Sequence, residues 1–285
     1  MVTRETPESG LARRRKRLSD EETARRMLDA ATATVEEAGL TVSLEHISFE
    51  EIIRDAGVAR SAVYRRWPYK DLFFSDLLRE LAKGASPAIT EANPGASQAA
   101  ARTVLAHLGW ARTPGLRRAL AAEVLREGAL GEFGIFHRSS AWRTYLALQA
   151  TFRSLPDGDL RAEVQQALTE SERSMVAGVA TAYSWGARLI GLRPCAGVTF
   201  ETVARLAVAT LRGLILMAPG NPEIVTRRFQ ANPFGAPEPA EWSEPALAIT
   251  SVVLGLLEAD PEVEWTDEHE RSVAAALRNG RWAAS

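Results

Sequence analysis

A chain of 285 residues, 46% hydrophobic and 25% charged, has an ordinary globular composition and is long enough to bury a substantial core. Its formal net charge of -2 excludes a nucleic-acid affinity spread over the whole surface, so any such affinity must come from locally clustered charge. One cysteine, Cys195, excludes an internal disulfide framework and fits a reducing cytosol.

Residues 1–17 show no apolar period and contain five consecutive basic residues, Arg13, Arg14, Arg15, Lys16 and Arg17. Alone, such a run is a solvated tail. Ahead of a DNA-reading helix it would be an arm that reaches phosphate or the minor groove. No apolar h-region follows it, so no secretory signal is read there. Ser19 and Glu22 then have the form of a capping box, with Asp20 and Glu21 at the positive end of the helix dipole. Met27, Leu28, Ala31 and Val35 keep helical spacing until Gly39, which predicts the first helix.

Ser48 and Glu51 form a second capping-box pattern, and Ile52, Ile53 and Ala56 supply the buried side of about two turns. Gly57 can end that helix in a left-handed conformation. The next helix starts at Ala59 and stops before Pro68. Val63 and Trp67, four apart, share its inward face. At 100° per residue, Ser61 and Arg65 point outward, Ala62 and Tyr64 flank them, and Arg60 and Arg66 can snorkel to the surface. A fourth helix over 70–83 carries Leu72, Phe73, Leu77, Leu78 and Leu81. Helix, glycine turn and cationic helix is the helix-turn-helix layout. Arginine can pair bidentately with guanine, whereas Tyr, Ser and Lys suit phosphate oxygens. A capped helical hairpin with a solvated basic face has the same spacing, and spacing alone does not separate the two.

The run AGVARSAVYRRWPYKDLFF resembles the signature of the TetR family of transcriptional regulators. The matching positions are Ala56, Gly57, Val58, Tyr64, Trp67, Lys70, Asp71 and Leu72, with Met27, Leu28, Ala30, Ala31 and Gly39 upstream. The resemblance covers residues 18–81. It implies that Tyr64 and Lys70 hold phosphates, which leaves Arg60, Ser61, Arg65 and Arg66 for base-edge or flanking contacts. It further implies double-stranded DNA with a pseudo-palindromic operator as partner, a homodimer, and release by a small, largely hydrophobic effector. Two departures stand out: Ala59 replaces the usual Ser or Thr cap, and the 39–48 link is a few residues longer than usual.

Beyond residue 97 no strand-like alternation is present. Helices are expected at 97–112, 116–130, 140–154, 158–191, 199–217, 221–229, 244–258 and 267–278, broken at Pro114-Gly115, 131–134, Pro156, Pro194, Pro219-Gly220 and 233–239. In 128–137, GALGEFGIFH, three glycines interleave with aromatics, which suits a mobile lid or a packed loop. Candidate pocket residues are Trp110, Phe133, Phe136, His137, Trp142, Tyr145 and Tyr183, with Phe152 and Trp185 further aromatics of the same region. Two helices stand out: 199–217 carries one continuous apolar stripe, and 244–258 is apolar nearly all round, so both of its sides need cover. The second includes the longest apolar-leaning stretch, 246–257, which is too short to span ~30 Å of hydrocarbon. Val203, Leu206, Leu211, Leu214, Ile249, Val253 and Leu256 are therefore candidates for a dimer interface, and a central core helix of a monomer is the other reading.

His46, His107, His137 and His269 are scattered, and no phosphate loop or nucleophile motif is found. No metal, cofactor, catalytic residue or membrane contact is expected. The reading is an all-α, cytoplasmic chain with a basic arm at 1–17, a helix-turn-helix domain at 18–85, and a larger helical effector-binding and dimerisation domain at 86–285. Its expected role is that of a dimeric repressor. A helical small-molecule or lipid carrier is the alternative.

Overall fold

The computed structural model describes residues 18–38, 48–84 and 94–279. The basic run at 13–17, the link at 39–47 and the expected domain boundary at 85–86 lie outside the described residues.

Helix α1 (Asp20–Ala38) begins at Ser19, whose Oγ accepts the Glu22 amide at 3.0 Å. The Glu22 carboxylate turns to Arg25 and Arg26 instead of reaching back to the cap. Met27, Ala31 and Val35 form its fully buried stripe. Helix α2 (Phe49–Asp55) is capped in the same way, with the Glu51 amide 3.3 Å from Ser48 Oγ. Gly57 takes φ +63, a left-handed backbone that glycine adopts without a Cβ clash. Helix α3 (Arg60–Arg66) follows, and its N-cap Ala59 makes no side-chain cap bond. Helix α4 (Lys70–Gly84) closes the unit.

The first four helices share an aromatic centre. Phe73 lies 5.1 Å from both Phe49 and Trp67, edge-on to the latter. All three rings are buried, each worth ~1.5–3 kcal/mol of burial. The indole of Trp67 spends its one polar group on Asp76, with Nε1 donating to Oδ2 at 2.8 Å.

The body consists of α5 (Pro94–Ala106), a 3-10 turn (Leu108–Arg112), α6 (Pro114–Arg138), α7 (Ser140–Ser154), α8 (Asp159–Leu189), α9 (Phe200–Met217), α10 (Glu223–Thr226), α11 (Glu244–Gly255) and α12 (Asp267–Arg278). The helical architecture expected from the sequence holds, with corrections. The expected helix 97–112 changes to 3-10 geometry after Ala106. The helix expected over 116–130 does not break at 131–134 but runs on to Arg138. Neither a lid nor a loop forms there, because packing of α6 on α5 and α11 overrides a glycine penalty of about 1 kcal/mol per residue. The expected helix 221–229 shrinks to α10, and 244–258 ends at Gly255.

Two small antiparallel ribbons were also not expected. They pair β1 (Leu192–Pro194) with β4 (Leu257–Ala259), and β2 (Phe229–Ala231) with β3 (Ala240–Trp242). Three residues are too few to show a period of two. Their position is set by tertiary bonds, such as the Cys195 amide donating to the Leu256 carbonyl at 2.9 Å.

One apolar core runs from α1–α4 into α7, α8 and α9, and a second is enclosed by α5, α6, α11 and α12. Helix α11 packs against both α6 and α9. That satisfies a helix that is apolar nearly all round: its two flanks are covered by its own chain.

Candidate functional site

Buried Val63 and Trp67 anchor α3 to the core, which leaves Arg60, Ser61, Tyr64, Arg65, Arg66 and Lys70 on the exposed side. Sequence spacing pointed Ser61 and Arg65 outward, with Tyr64 flanking and Arg60 and Arg66 snorkelling to the surface, and Lys70 entered through the resemblance. Three of the six are held by carboxylates in the first turns of other helices. Glu50, in the first turn of α2, receives the Tyr64 hydroxyl at 2.9 Å and lies 2.7 Å from Arg60 Nη2. Asp20, in the first turn of α1, pairs with Arg65. The bond to Glu50 raises the Tyr64 hydroxyl above its ordinary pKa. Arg66 lies over the Trp67 ring at 5.8 Å. The face is a row of donors on α3 and the first residue of α4.

A polar chain leads inward from this face. Trp67 donates to Asp76, Asp76 Oδ1 pairs with Arg79 Nη1 at 2.8 Å, and Arg79 also pairs with Glu163 of α8. Hydrogen bonds to these two carboxylates, that to Glu163 first, raise the Arg79 guanidinium pKa further. The α3 cap is thereby tied to the body through α4.

Inside the body lies a cavity of ≈ 270 Å³. Helix α6 supplies the largest share of its wall, including Leu125, Gly128, Ala129, Glu132, Phe133 and Phe136. Helix α8 adds Val179, Tyr183, Gly186 and Ala187, with Val208 and Leu211 of α9 and Ile249 and Val253 of α11 opposite. The space exists because so much of the wall is Gly or Ala. A Cβ built on Gly128 would meet nothing within 4 Å. Among the described residues Glu132 is the only carboxyl in the wall, and burial raises its pKa from 4.5 to about 7. Burial, with the Glu132 charge adding to it, also pushes the Tyr183 hydroxyl up.

Of the expected pocket residues, Phe133, Phe136 and Tyr183 line the cavity, and Trp110, His137, Trp142 and Tyr145 do not. Trp110 lies tilted against His107 at 4.3 Å, and His137 lies parallel to Phe133. Trp142 and Tyr145 belong to a separate buried cluster around Arg212. That guanidinium lies 5.8 and 5.1 Å from their rings and 2.6 Å from Glu172, which also accepts the Tyr145 hydroxyl. Burial opposes ionisation of Glu172, yet Arg212 and Tyr145 together hold its pKa below the usual carboxylate value. The Tyr145 hydroxyl is pushed up to about 12 by burial and by Glu172.

Sequence reasoning missed Glu132. A signal was available, because Leu125, Gly128, Ala129, Glu132, Phe133 and Phe136 follow one helical stripe, and an acid on such a stripe is out of place. Reading the glycines as a break concealed it.

The expected dimer residues are placed differently from one another. Val203, Leu211 and Val253 are buried within the chain at 0%, 6% and 2% exposure, because α11 is enclosed by α6 and α9; this corrects their assignment to a partner-facing surface. Leu214, Ile249 and Leu256 are half-buried. Leu206 is exposed and continues along α9 through Ala209 and Gly213 to Leu216 and Met217. Among the described residues no group of three or more His, Cys, Asp or Glu could hold a metal, and no helix is long and apolar enough to cross a membrane.

No protein-family profile and no curated protein matches the chain. Solved structures to which it is similar include those of three proteins. SmeT, the repressor of the Stenotrophomonas maltophilia multidrug efflux pump SmeDEF, is 18% identical with a TM-score of 0.38, covering 86% of this chain and 98% of that one. GusR of Salmonella enterica is 14% identical, TM-score 0.34, over 90% and 94%. TylP, a TetR regulator of Streptomyces fradiae, is 14% identical, TM-score 0.37, over 91% and 99%. Likeness this slight identifies no family.

Proposed function

We propose that this chain is a sequence-specific DNA-binding transcriptional regulator of the TetR type, acting as a homodimeric repressor that a small, mainly hydrophobic effector releases. The observation that carries the reading is the α3 face, where Arg60, Ser61, Tyr64, Arg65 and Arg66 are exposed together on a helix anchored by buried Val63 and Trp67, with exposed Lys70 at the start of α4 beside it. Tyr64 and Lys70 take phosphates, and the arginines and Ser61 reach base edges or flanking positions. The basic run at Arg13, Arg14, Arg15, Lys16 and Arg17 supplies the arm. The exposed α9 stripe, Leu206, Leu216 and Met217, is the dimer contact, and two-fold pairing makes the operator pseudo-palindromic. Effector bound among α5, α6, α8, α9 and α11 shifts the population between a DNA-competent and an incompetent spacing of the two heads.

The test is selection of bound sites from random duplex DNA, followed by titration of the winner at two salt concentrations. A palindromic motif bound at ~10⁻⁸ M or tighter, with a steep salt slope, is the expected result. Lys70→Ala should weaken all sequences alike and reduce the slope by about 0.9. Arg65→Ala or Arg66→Ala should relax preference at one base step, at ~1–3 kcal/mol. No enriched motif would refute the regulator. The apolar cavity would then favour a helical small-molecule carrier.

A further inference from the structure

The cavity wall combines three observations. Its residues are Gly, Ala, aliphatic and aromatic except for Glu132 and Tyr183. Among the described residues it contains no Lys, Arg or His, and no Asn, Gln, Ser or Thr. Among the described residues, neither the Glu132 carboxylate nor the Tyr183 hydroxyl has a hydrogen-bonded or ion-paired partner, and the one charge that Tyr183 senses is that of Glu132. An unpaired carboxylate on an apolar wall costs free energy whenever it is ionised. The other buried acids of the body do not bear that cost, since Glu123 pairs with Arg126 at 2.6 Å and Glu172 with Arg212 at 2.6 Å.

We propose that the cavity takes a small amphipathic organic cation, an aromatic or branched alkyl amine whose ammonium group donates to the Glu132 carboxylate and the Tyr183 hydroxyl oxygen while its apolar part lies against α6 and α9. Charge decides the class. A bound anion would face the carboxylate with no cation in the wall to offset it. A neutral ligand would leave the carboxylate uncompensated, or require it to be protonated. An ammonium supplies the missing partner through a charge-assisted hydrogen bond, and the rings of Tyr183 and Phe133 add faces that attract cations. Binding needs no rearrangement of the wall for a ligand that fits ≈ 270 Å³. The proposal names the effector class and so rests on the regulator reading for its biological meaning, although ligand binding itself is measurable without DNA.

The experiment is calorimetric titration of the DNA-free full chain at pH 8 with 4-phenylbutylamine, 4-phenylbutanol and 4-phenylbutyrate, which share one apolar part and differ in charge. The amine should bind at least about tenfold more tightly than the alcohol, and the butyrate should not bind. In Glu132→Gln the preference of amine over alcohol should fall to about threefold or less, because the charge is gone while the amide remains a hydrogen-bonding group. Gly128→Leu, which fills the cavity from a position where a Cβ meets nothing within 4 Å, should abolish binding of amine and alcohol while the circular dichroism spectrum stays helical. Equal affinity for amine and alcohol, binding of neither, or a preference that survives in Glu132→Gln would overturn the proposal. Amine binding by a chain that selects no DNA motif would leave the cation site standing and remove the regulator. A selected motif with no amine preference would do the reverse.

Discussion

Replacing Glu132 by Gln should stabilise the ligand-free protein at pH 8 and change it much less at pH 5. Burial in the cavity wall raises the Glu132 pKa from 4.5 to about 7. At 1.36 kcal/mol per pH unit, that difference sets a ceiling of ~3 kcal/mol. The side chain is half-buried and faces a cavity that water can enter, so ~1–2 kcal/mol is the expected size. The sign follows from linkage. A group whose folded pKa is raised contributes stability that is fully present below pH 4.5 and lost as pH rises through 7. Glutamine does not titrate, so the gap between variant and wild type should open across that interval and stay constant above it. The other titratable group in the wall, Tyr183, is raised above its usual range and remains neutral throughout. Urea unfolding of both proteins at pH 5 and pH 8 measures the gap, since titrations elsewhere in the chain are common to the two. An equal gap at both pH values, or none at pH 8, would show that the carboxylate is neither buried nor unpaired as described.

Glu50→Gln should release Arg60 and remove a negative charge from the reading face, tightening non-specific DNA binding about two- to fivefold, as expected for an exposed ion pair worth under 1 kcal/mol. Fluorescence anisotropy on random duplex checks it, and weaker binding would contradict the geometry. Gly191→Ala should destabilise the fold by ~1–3 kcal/mol, since φ is +71 and the new methyl would meet Arg117 and Val263 at 3.0 Å; thermal unfolding reads it out. Arg79→Gln should cut the polar link to Glu163 and leave the cavity untouched, so ligand affinity in the absence of DNA should hold while ligand-driven DNA release is blunted. Titration of ligand with and without operator separates the two effects.

The parts legible in the sequence are those set by local chemistry. Capping serines, the glycine at φ +63 and the Val63–Trp67 spacing carry their own geometry, so the head could be drawn residue by residue. In the body, the helix count and most ends followed from Pro and Gly punctuation. Punctuation failed at α6, where three glycines persist inside one helix because neighbouring helices hold them there. It also failed for ribbons of three residues, which have too little length to show a period. The aromatic residues misled for a related reason. Being large, they fill space, so Trp142 and Tyr145 ended up in the core while the cavity formed where side chains are small. Which carboxylate meets which arginine, as with Asp20 and Arg65 or Glu50 and Arg60, depends on how separate helices come together, and no spacing within one helix encodes it.

Helix α8 runs unbroken from Asp159 to Leu189, with Glu163 beside the head and Tyr183 in the cavity wall. Twenty residues at 1.5 Å each place these points ~30 Å apart on a stiff rod. Such a rod is a lever. A ligand slightly too large for its space need tilt α8 by only about 5° to carry the Glu163 end roughly 2.5 Å, half a helical turn's rise. That distance is enough to separate Glu163 from Arg79, yet it demands no unfolding and no large change at the ligand itself. On the proposed reading, effector size would set the amplitude of the response through α8, and effector charge its selectivity through Glu132 of α6.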